Sequence, residues 1–262
     1  MLANLFPDVL SLGVAQAAAA ALLAILAMWA ARTQRIHLER ETLIALARGI
    51  VQIAAVGSIL VFVFRGPMWT GAIVLAIMMA VAALISARRS RELPGAYNVA
   101  FISIVLGAGT VIATMTSLGV IAPTLTSLIP IGSMIIASTM NASALALERF
   151  KAELLAHVGQ IEAGLALGAA PGAAVGPYLQ AAVTASLIPQ INSLRSLGIV
   201  WIPGLMAGMV LSGTDTLYAA VYQFVVIAMI FGASSVTSVT AALLVRPRVF
   251  TAADQLILRP RG

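Results

Sequence analysis

Long apolar runs alternate with short polar stretches along the whole chain. An α-helix rises about 1.5 Å per residue, so crossing about 30 Å of hydrocarbon takes roughly 20 apolar residues. Strands that cross a bilayer would instead alternate apolar and polar residues, and unbroken runs such as residues 73–79 do not. The pattern therefore predicts an all-α, polytopic membrane protein with about seven transmembrane helices. The expected spans are residues 9–31, 43–64, 68–87, 99–118, 124–147, 199–211 extended N-terminally, and 217–245.

Composition gives the same class. Hydrophobic residues make up 61% of the chain and charged residues only 9%, whereas a soluble domain carries about 25% charged residues. The first apolar run is too long for a signal peptide and lacks a basic start, so we interpret it as an anchor. We expect residues 1–262 to form a single transmembrane domain.

The basic residues predict the orientation, because Lys and Arg near helix ends stay on the cytoplasmic side. Thirteen of the fifteen fall on alternate connections or in the tail, and Arg48 and Arg65 are the exceptions. The N-terminus is thus predicted outside and the C-terminus inside, with residues 246–262 as a cytoplasmic tail. The thirteen are Arg32, Arg35, Arg40, Arg88, Arg89, Arg91, Arg149, Lys151, Arg195, Arg246, Arg248, Arg259 and Arg261.

One connection, residues 148–180, is long and amphipathic. Its apolar residues recur at helical spacing, which predicts an amphipathic helix running into a short second helix ended by Pro171 and Gly172. A helix lying on the lipid surface is the alternative interpretation. The recurring apolar residues are Phe150, Leu154, Leu155, Val158, Ile161 and Leu165.

Several kinds of chemistry are excluded or unsupported. The chain has no cysteine, which excludes disulfides and thiolate metal ligands. It has no phosphate-cradling Gly-x-x-x-x-Gly-Lys-[Ser/Thr] loop, so it is not an ATPase. His37 and His157 stand in polar stretches without a metal-ligand spacing, and no metal site is assigned. The net charge of +6 reflects membrane topology and gives no support to nucleic-acid binding.

A set of spaced motifs carries a family resemblance. Glu162, Ala163 and Gly168 match the cytoplasmic coupling loop of ATP-binding-cassette (ABC) transporter permeases. Further motifs are Arg48-Gly49-x-x-Gln52-x-x-x-x-Gly57, Ala87-Arg88-Arg89-Ser90, Ile129-Pro130-Ile131-Gly132-x-Met134 with Asn141, Leu167-Gly168-Ala169-x-Pro171, Ala185-Ser186-Leu187-Ile188-Pro189, Gly198-Ile199-Val200-x-Ile202-Pro203-Gly204-x-Met206-x-Gly208, Gly213-x-Asp215 and Tyr222-Gln223. With these motifs, the chain from about Glu41 to Leu256 resembles the FetB-type ABC permease family, associated with iron export and, in plants, aluminium resistance.

The resemblance implies a permease domain that works as a homodimer with two copies of a separate cytoplasmic ATPase. The partner would bind ATP and Mg²⁺, this chain would bind no cofactor, and a small substrate such as iron, another metal ion or its complex would be exported across the bacterial inner membrane. Residues 148–180 would be the coupling loop. The implied ATPase-coupling residues are Glu162, Ala163, Leu167, Gly168 and Pro171.

Polar residues inside or beside the spans are candidates for the translocation pathway. Arg48 and Gln52 lie one turn apart, and an intramembrane Arg costs at least about 2.5 kcal/mol unless it faces the bundle interior or snorkels to the interface. Both interpretations of Arg48 stay open. Family members commonly carry an acid, a lysine and a basic residue where this chain has Asn192, Arg195 and Thr184, which puts the substrate in doubt. The other candidates are Asn141 and Gln223 for the pathway, and Pro130, Pro189, Pro203 and Gly204 as hinges.

Two other functions are open to this sequence. An ion-coupled carrier would be expected to hold acids inside the membrane, but all nine acidic residues fall in connections or at span ends. A membrane scaffold without a pathway of its own is the other alternative.

Overall fold

A computed structural model describes residues 9–32 and 39–258, with side chains at 11–30 and 42–258. These residues are almost entirely helical and contain no extended strand, which confirms the all-α prediction. Six helical stretches are long and apolar enough to cross a membrane, so the chain is a polytopic membrane protein. They are Ser11–Ala30, Thr42–Val63, Trp69–Arg89, Ala96–Ser117, Leu125–Ala156 and Thr216–Val249.

The chain divides into two compact units, Met1–Gly66 and Pro67–Gly262. The first unit holds two helices that contact each other, α1 (Val9–Arg32) and α2 (Glu39–Val63). Both consist largely of Ala, Leu, Ile and Val, which suits them to a lipid surrounding.

The second unit is a bundle with nine helices among its described residues. Its long members are α3 (Trp69–Arg89), α6 (Leu125–Ala156), α9 (Gly176–Ser196) and α11 (Thr216–Val245), together with a composite span in which α4 (Ala96–Ile104) passes through one π-helical turn into α5 (Thr110–Ser117). The short members are α7 (Val158–Ala166), α8 (Pro171–Ala174) and α10 (Gly204–Leu211).

Long-range contacts fix the direction of these helices. Lys151 near the end of α6 pairs with Glu92 just after α3, at 3.1 Å between Nζ and Oε2. Arg248 beyond α11 donates from Nη1 to the carbonyl oxygen of Gly95, at 3.0 Å. Therefore α3, α6 and α11 all end on one side, which we call the basic end. It collects Arg88, Arg89, Arg91, Arg149, Lys151, Arg246 and Arg248.

The bundle interior depends on small residues and on paired hydroxyls. A Cβ at Gly107, in the π-helical turn, would lie 2.6 Å from the carbonyl oxygen of Ala233 on α11, so this turn sits directly against α11. Ser86 donates to Ser143 at 3.1 Å and Ser186 to Ser238 at 2.9 Å, and all four are buried. Membrane helices are held together by close packing and interhelical hydrogen bonds, because the hydrophobic effect does not favour the association of helices that already lie in lipid.

The sixth expected span is not one continuous helix. In place of an apolar helix over residues 199–211 with an N-terminal extension, α9 ends at Ser196, residues 197–203 are irregular, and α10 has only eight residues. With 21 residues and a length of about 31 Å, α9 has the length of a span. Its polar residues keep it out of the six stretches that are apolar enough to cross. The other six expected spans match helices.

Candidate functional site

The amphipathic segment is helical and packs on the protein. Helix α6 continues past the expected end of its span to Ala156, and α7 follows after one residue. Phe150, Leu154 and Ile161 are buried in the core of the second unit, with Leu155, Val158 and Leu165 packed against it. The apolar face is thus covered by protein, which removes the interpretation that it lies on lipid.

A tight turn forms the tip of this segment. Gly168 adopts φ +90°, a left-handed conformation that favours glycine, as is common just after a helix. The amides of Gly168 and Ala169 donate to the carbonyls of Leu165 and Gly164, both at 3.0 Å. Leu167 projects from the turn with 90% of its surface exposed. Leu167 is therefore free to contact another protein at this end of the bundle.

The expected role of Pro171 as a helix terminator is wrong. It is the first residue of α8, where its missing N–H and fixed φ suit a helix start. The segment between α7 and α8 is therefore the short turn of residues 167–170. The expected end of the second helix lies earlier, at Ala166.

The C-terminal segment folds back beside this turn. The backbone amide of Thr251 donates to the carbonyl oxygen of Gln255 at 2.8 Å, and the amide of Ile257 donates to the carbonyl oxygen of Val249 at 2.9 Å. The side chain of Leu256 is buried. The Arg246 guanidinium lies directly against Gly172, where an added Cβ would collide with it. Residues 246–258 are thus a docked part of the bundle.

The turn and the C-terminal segment enclose a groove of about 640 Å³, which we call the coupling groove. Glu162, Gly168 and Pro171 line one wall, and Asp254 and Leu256 line the other. Among the described residues that line it, two are acidic and none is basic. Ala163 and Leu167 lie exposed on the same segment, outside this lining. The groove can receive a protein element that presents positive charge or free N–H groups.

Comparison with known proteins places the chain in a family. Residues 14–250 match the model of the uncharacterised protein family UPF0014. The chain belongs to this family. It is 32% identical over 228 residues to "UPF0014 membrane protein STAR2" of Oryza sativa subsp. japonica, covering 86% of this chain and 79% of that protein. No solved structure shows a significant match.

Two further relatives come from a plant and from a bacterium. "Protein ALUMINUM SENSITIVE 3" of Arabidopsis thaliana is 31% identical over 246 residues, covering 93% of this chain and 90% of that protein. "Probable iron export permease protein FetB" of Escherichia coli is 28% identical over 242 residues, covering 92% of this chain and 93% of that protein. The resemblance to FetB-type permeases is thereby confirmed, and the chain is a UPF0014 membrane protein with permease relatives.

The pathway candidates differ in their surroundings. Arg48 and Gln52 lie one turn apart on α2 and are exposed, and Asn141 is exposed on α6. Gln223 is buried on α11, where its Oε1 accepts from the backbone amide of Met206 at 3.3 Å. That bond holds the first turn of α10 against α11. The described geometry gives Gln223 this packing role.

Two candidates lie on the outer face of α9. Asn192 and Arg195 are exposed, as is Thr184 about two and three helical turns before them, and no described residue of the second unit covers this row. The expectation that Arg195 lies near the end of the polar connection is wrong. It stands in the last turn of α9, at the end farthest from Gly176, and so away from the basic end.

The hinge candidates differ from one another. Pro130 and Pro189 lie inside continuous helices, with Ser133 and Ser193 donating to their carbonyls at 2.7 and 3.0 Å. Pro203 and Gly204 instead mark a real break, because α10 starts at Gly204 after the irregular residues 197–203.

Sequence reasoning missed the second wall of the coupling groove. Ala253, Asp254, Gln255 and Leu256 belong to a tail that carried no motif, and contacts far apart in sequence bring them to residues 162–171. The apolar residues Val249, Leu256 and Leu258 were the available signal, because a fully solvated tail has no need of them, and all three are buried.

Proposed function

We propose that this chain is the permease subunit of an ABC exporter, which moves a small substrate across the bacterial inner membrane with energy from ATP hydrolysed by a separate subunit. The substrate class is iron, another metal ion or its complex. The coupling groove with its exposed Leu167 is the observation that carries the proposal. If a soluble ATPase drives a membrane protein, the membrane protein needs an ordered surface outside the bilayer to which the ATPase can bind.

The position of the groove supports this assignment. It lies at the basic end of the bundle, and clustered Lys and Arg beside helix ends are typical of the cytoplasmic side. An ATPase is soluble in the cytoplasm, so its docking surface has to lie there. The same argument supports a cytoplasmic C-terminus, and an odd number of crossings would put the N-terminus outside.

The relatives support the substrate class through their names. One relative is named a probable iron export permease and another is named for aluminium sensitivity. Both names point to metal ions. The described residues contain no group of three or more His, Cys, Asp or Glu side chains, so a metal would be handled without a tight site.

We further propose that two copies assemble around the pathway. The uncovered row of Thr184, Asn192 and Arg195 on α9 is costly to leave in lipid, because charged and amide groups lose their hydration there. A second copy or a water-filled path between two copies would cover it. The partner assembly would then hold two ATPases, each binding ATP and Mg²⁺.

Labelling of single cysteines tests the orientation on which this function depends. The chain is naturally cysteine-free, so Ala163→Cys and Gly119→Cys each introduce one site, and both positions are exposed. We expect a membrane-impermeant maleimide to label Gly119→Cys in intact spheroplasts and Ala163→Cys only in inverted vesicles. Labelling of Ala163→Cys from outside would contradict any contact with a cytoplasmic ATPase.

A further inference from the structure

Arg195 is the one charged side chain that the described helices of the second unit carry away from their ends. No other Asp, Glu, Lys or Arg occurs in residues 69–87, 96–117, 125–147, 176–196, 204–214 or 216–245. The described helices of the first unit likewise hold no acid between residues 42 and 63. A positive charge therefore stands among these spans without an acidic side chain to balance it.

The last turns of α9 lie near the middle of the bundle. Gln190 and Ser193 line one small cavity together with Met134 and Ser138 of α6, and so stand at the same level. Met134 and Ser138 follow the start of α6 by 9 and 13 residues, which is about 14–20 Å of helix. Half of a hydrocarbon core is about 15 Å. Arg195, two residues beyond Ser193, therefore stands close to mid-membrane.

The guanidinium of Arg195 has no partner in the described part of the chain. Arg195 is exposed on the outer face of α9, and no described residue forms an ion pair or hydrogen bond with it. An arginine at this depth is stable only where it meets water or an opposite charge. Because the described residues place no acid at this level, the same residues of a second copy would not neutralise it. The balancing negative charge has to come from a ligand.

The break after α9 indicates that water reaches this level. Residues 197–203 are irregular, and the bond from the Met206 amide to Gln223, 7 residues after the start of α11, puts the first turn of α10 about 10 Å along α11. Irregular backbone at membrane depth is tolerated only where protein covers it or where it lines a water-filled space. Ile199 and Val200 in this break are 86% and 84% exposed. A water-filled path along the outer face of α9 suits both the break and Arg195.

We infer that Arg195 binds an anion in the translocation pathway and recognises a carboxylate or phosphate group of the cargo. A guanidinium presents its N–H donors in a planar fork, which matches either group with two parallel hydrogen bonds. Its charge repels a free cation, so a metal ion would pass this point only in a complex with net negative charge. The inference rests on the proposed function in placing the outer face of α9 on a transport pathway.

Reaction rates of an introduced cysteine test the charge and its contact with water. Asn192 stands three residues before Arg195 on the same face, with about 5–6 Å between their Cβ atoms, and the chain has no cysteine of its own. Full-length Asn192→Cys protein in phosphatidylcholine nanodiscs is treated with anionic sulfonatoethyl or cationic trimethylammonioethyl methanethiosulfonate. Adding Arg195→Gln should lower the ratio of the anionic to the cationic rate about tenfold at low ionic strength, because one charge acts on the two reagents with opposite sign. Arg195→Lys should keep the ratio.

Protection by inorganic phosphate tests binding of an anion. Phosphate should slow the anionic reagent about twofold or more at Asn192→Cys, compared with chloride at the same ionic strength. The slowing should be absent when Arg195→Gln is added. An arginine that only offsets the helix dipole at the C-terminus of α9 would shift the rate ratio without any protection by phosphate, and that result would contradict the inference.

A second cysteine position and a second lipid composition complete the test. Ala163→Cys on α7 should react with an unchanged rate ratio when Arg195→Gln is added, which controls for damage to the fold. No reaction of Asn192→Cys with either reagent, or the same ratio with and without Arg195, would overturn the inference. Slowing by phosphatidylglycerol in the nanodiscs but not by phosphate would mean that the anion is a lipid headgroup, and would overturn the assignment to cargo. These assays need no ATPase, so a failure here leaves the ATP-coupled function to be judged by its own experiments.

Discussion

The Leu167→Asp variant is expected to lose ATP-driven transport while it still inserts and folds. Leu167 is 90% exposed at the tip of the α7–α8 turn and contributes nothing to the core, so its replacement leaves the bundle intact. A central apolar side chain buried at an interface carries at least about 2 kcal/mol, so affinity for the ATPase should fall about 30-fold or more. Co-purification of the two subunits and ATP-dependent transport in proteoliposomes measure the effect.

The Leu211→Asp variant is the matched control. Leu211 is 88% exposed, carries the same side chain and ends α10 at the opposite end of the bundle. This variant should retain the ATPase with unchanged affinity. Equal loss in both variants would mean that the substitution damages the fold, and full transport by Leu167→Asp would remove the coupling role of this turn.

The second large effect is expected at Arg195 on α9. Arg195→Leu should raise the thermal stability of the isolated permease and reduce transport at least tenfold. The stability gain follows because an uncompensated arginine within a membrane span costs at least about 2.5 kcal/mol. The loss of transport follows if the uncovered row on α9 faces the pathway or a second copy. Thermal unfolding in detergent and transport by the reconstituted complex measure the two effects.

Arg65→Leu provides the comparison for Arg195. Arg65 is exposed in the turn after α2 and belongs to no candidate site, so its replacement should leave transport unchanged. If Arg195→Leu gains stability and keeps full transport, the arginine only reaches to the interface and the row on α9 does not line a pathway.

Most of the fold was predictable because membrane insertion imposes simple requirements on a sequence. Each lipid-crossing helix needs about 20 apolar residues, and six of the expected spans satisfy this rule and match helices. The amphipathic segment was predictable for a similar reason, since Phe150, Leu154 and Ile161 recur at helical spacing and are buried together.

The sixth expected span shows where that rule fails. Helix α9 carries Gln180, Gln190 and Arg195, so an apolarity criterion rejects it in favour of the more apolar residues 199–211. A helix that packs polar groups toward a cavity or a partner does not need to be apolar on every face. The element most concerned with the proposed transport is therefore the one that hydropathy alone does not find.

The candidate sites were less predictable than the fold, because they depend on contacts between distant residues. The coupling residues could be placed through a family resemblance, but the second wall formed by Asp254 and Leu256 could not. Gln223 was a pathway candidate on polarity alone, whereas its bond to the Met206 amide depends on the return of α10 along α11.

The measurement that tests the central proposal most directly is transport by the purified permease in proteoliposomes, with and without a co-expressed lone ABC ATPase subunit. We predict that the two proteins form a stable complex. We also predict that transport of a metal ion, followed by a radiolabel or by quenching of a fluorescent dye, requires both ATP and the ATPase. The rate of ATP hydrolysis by the ATPase should also rise when the permease is present. Metal movement that proceeds without the ATPase and follows an imposed proton or sodium gradient would contradict the proposal and favour an ion-coupled carrier.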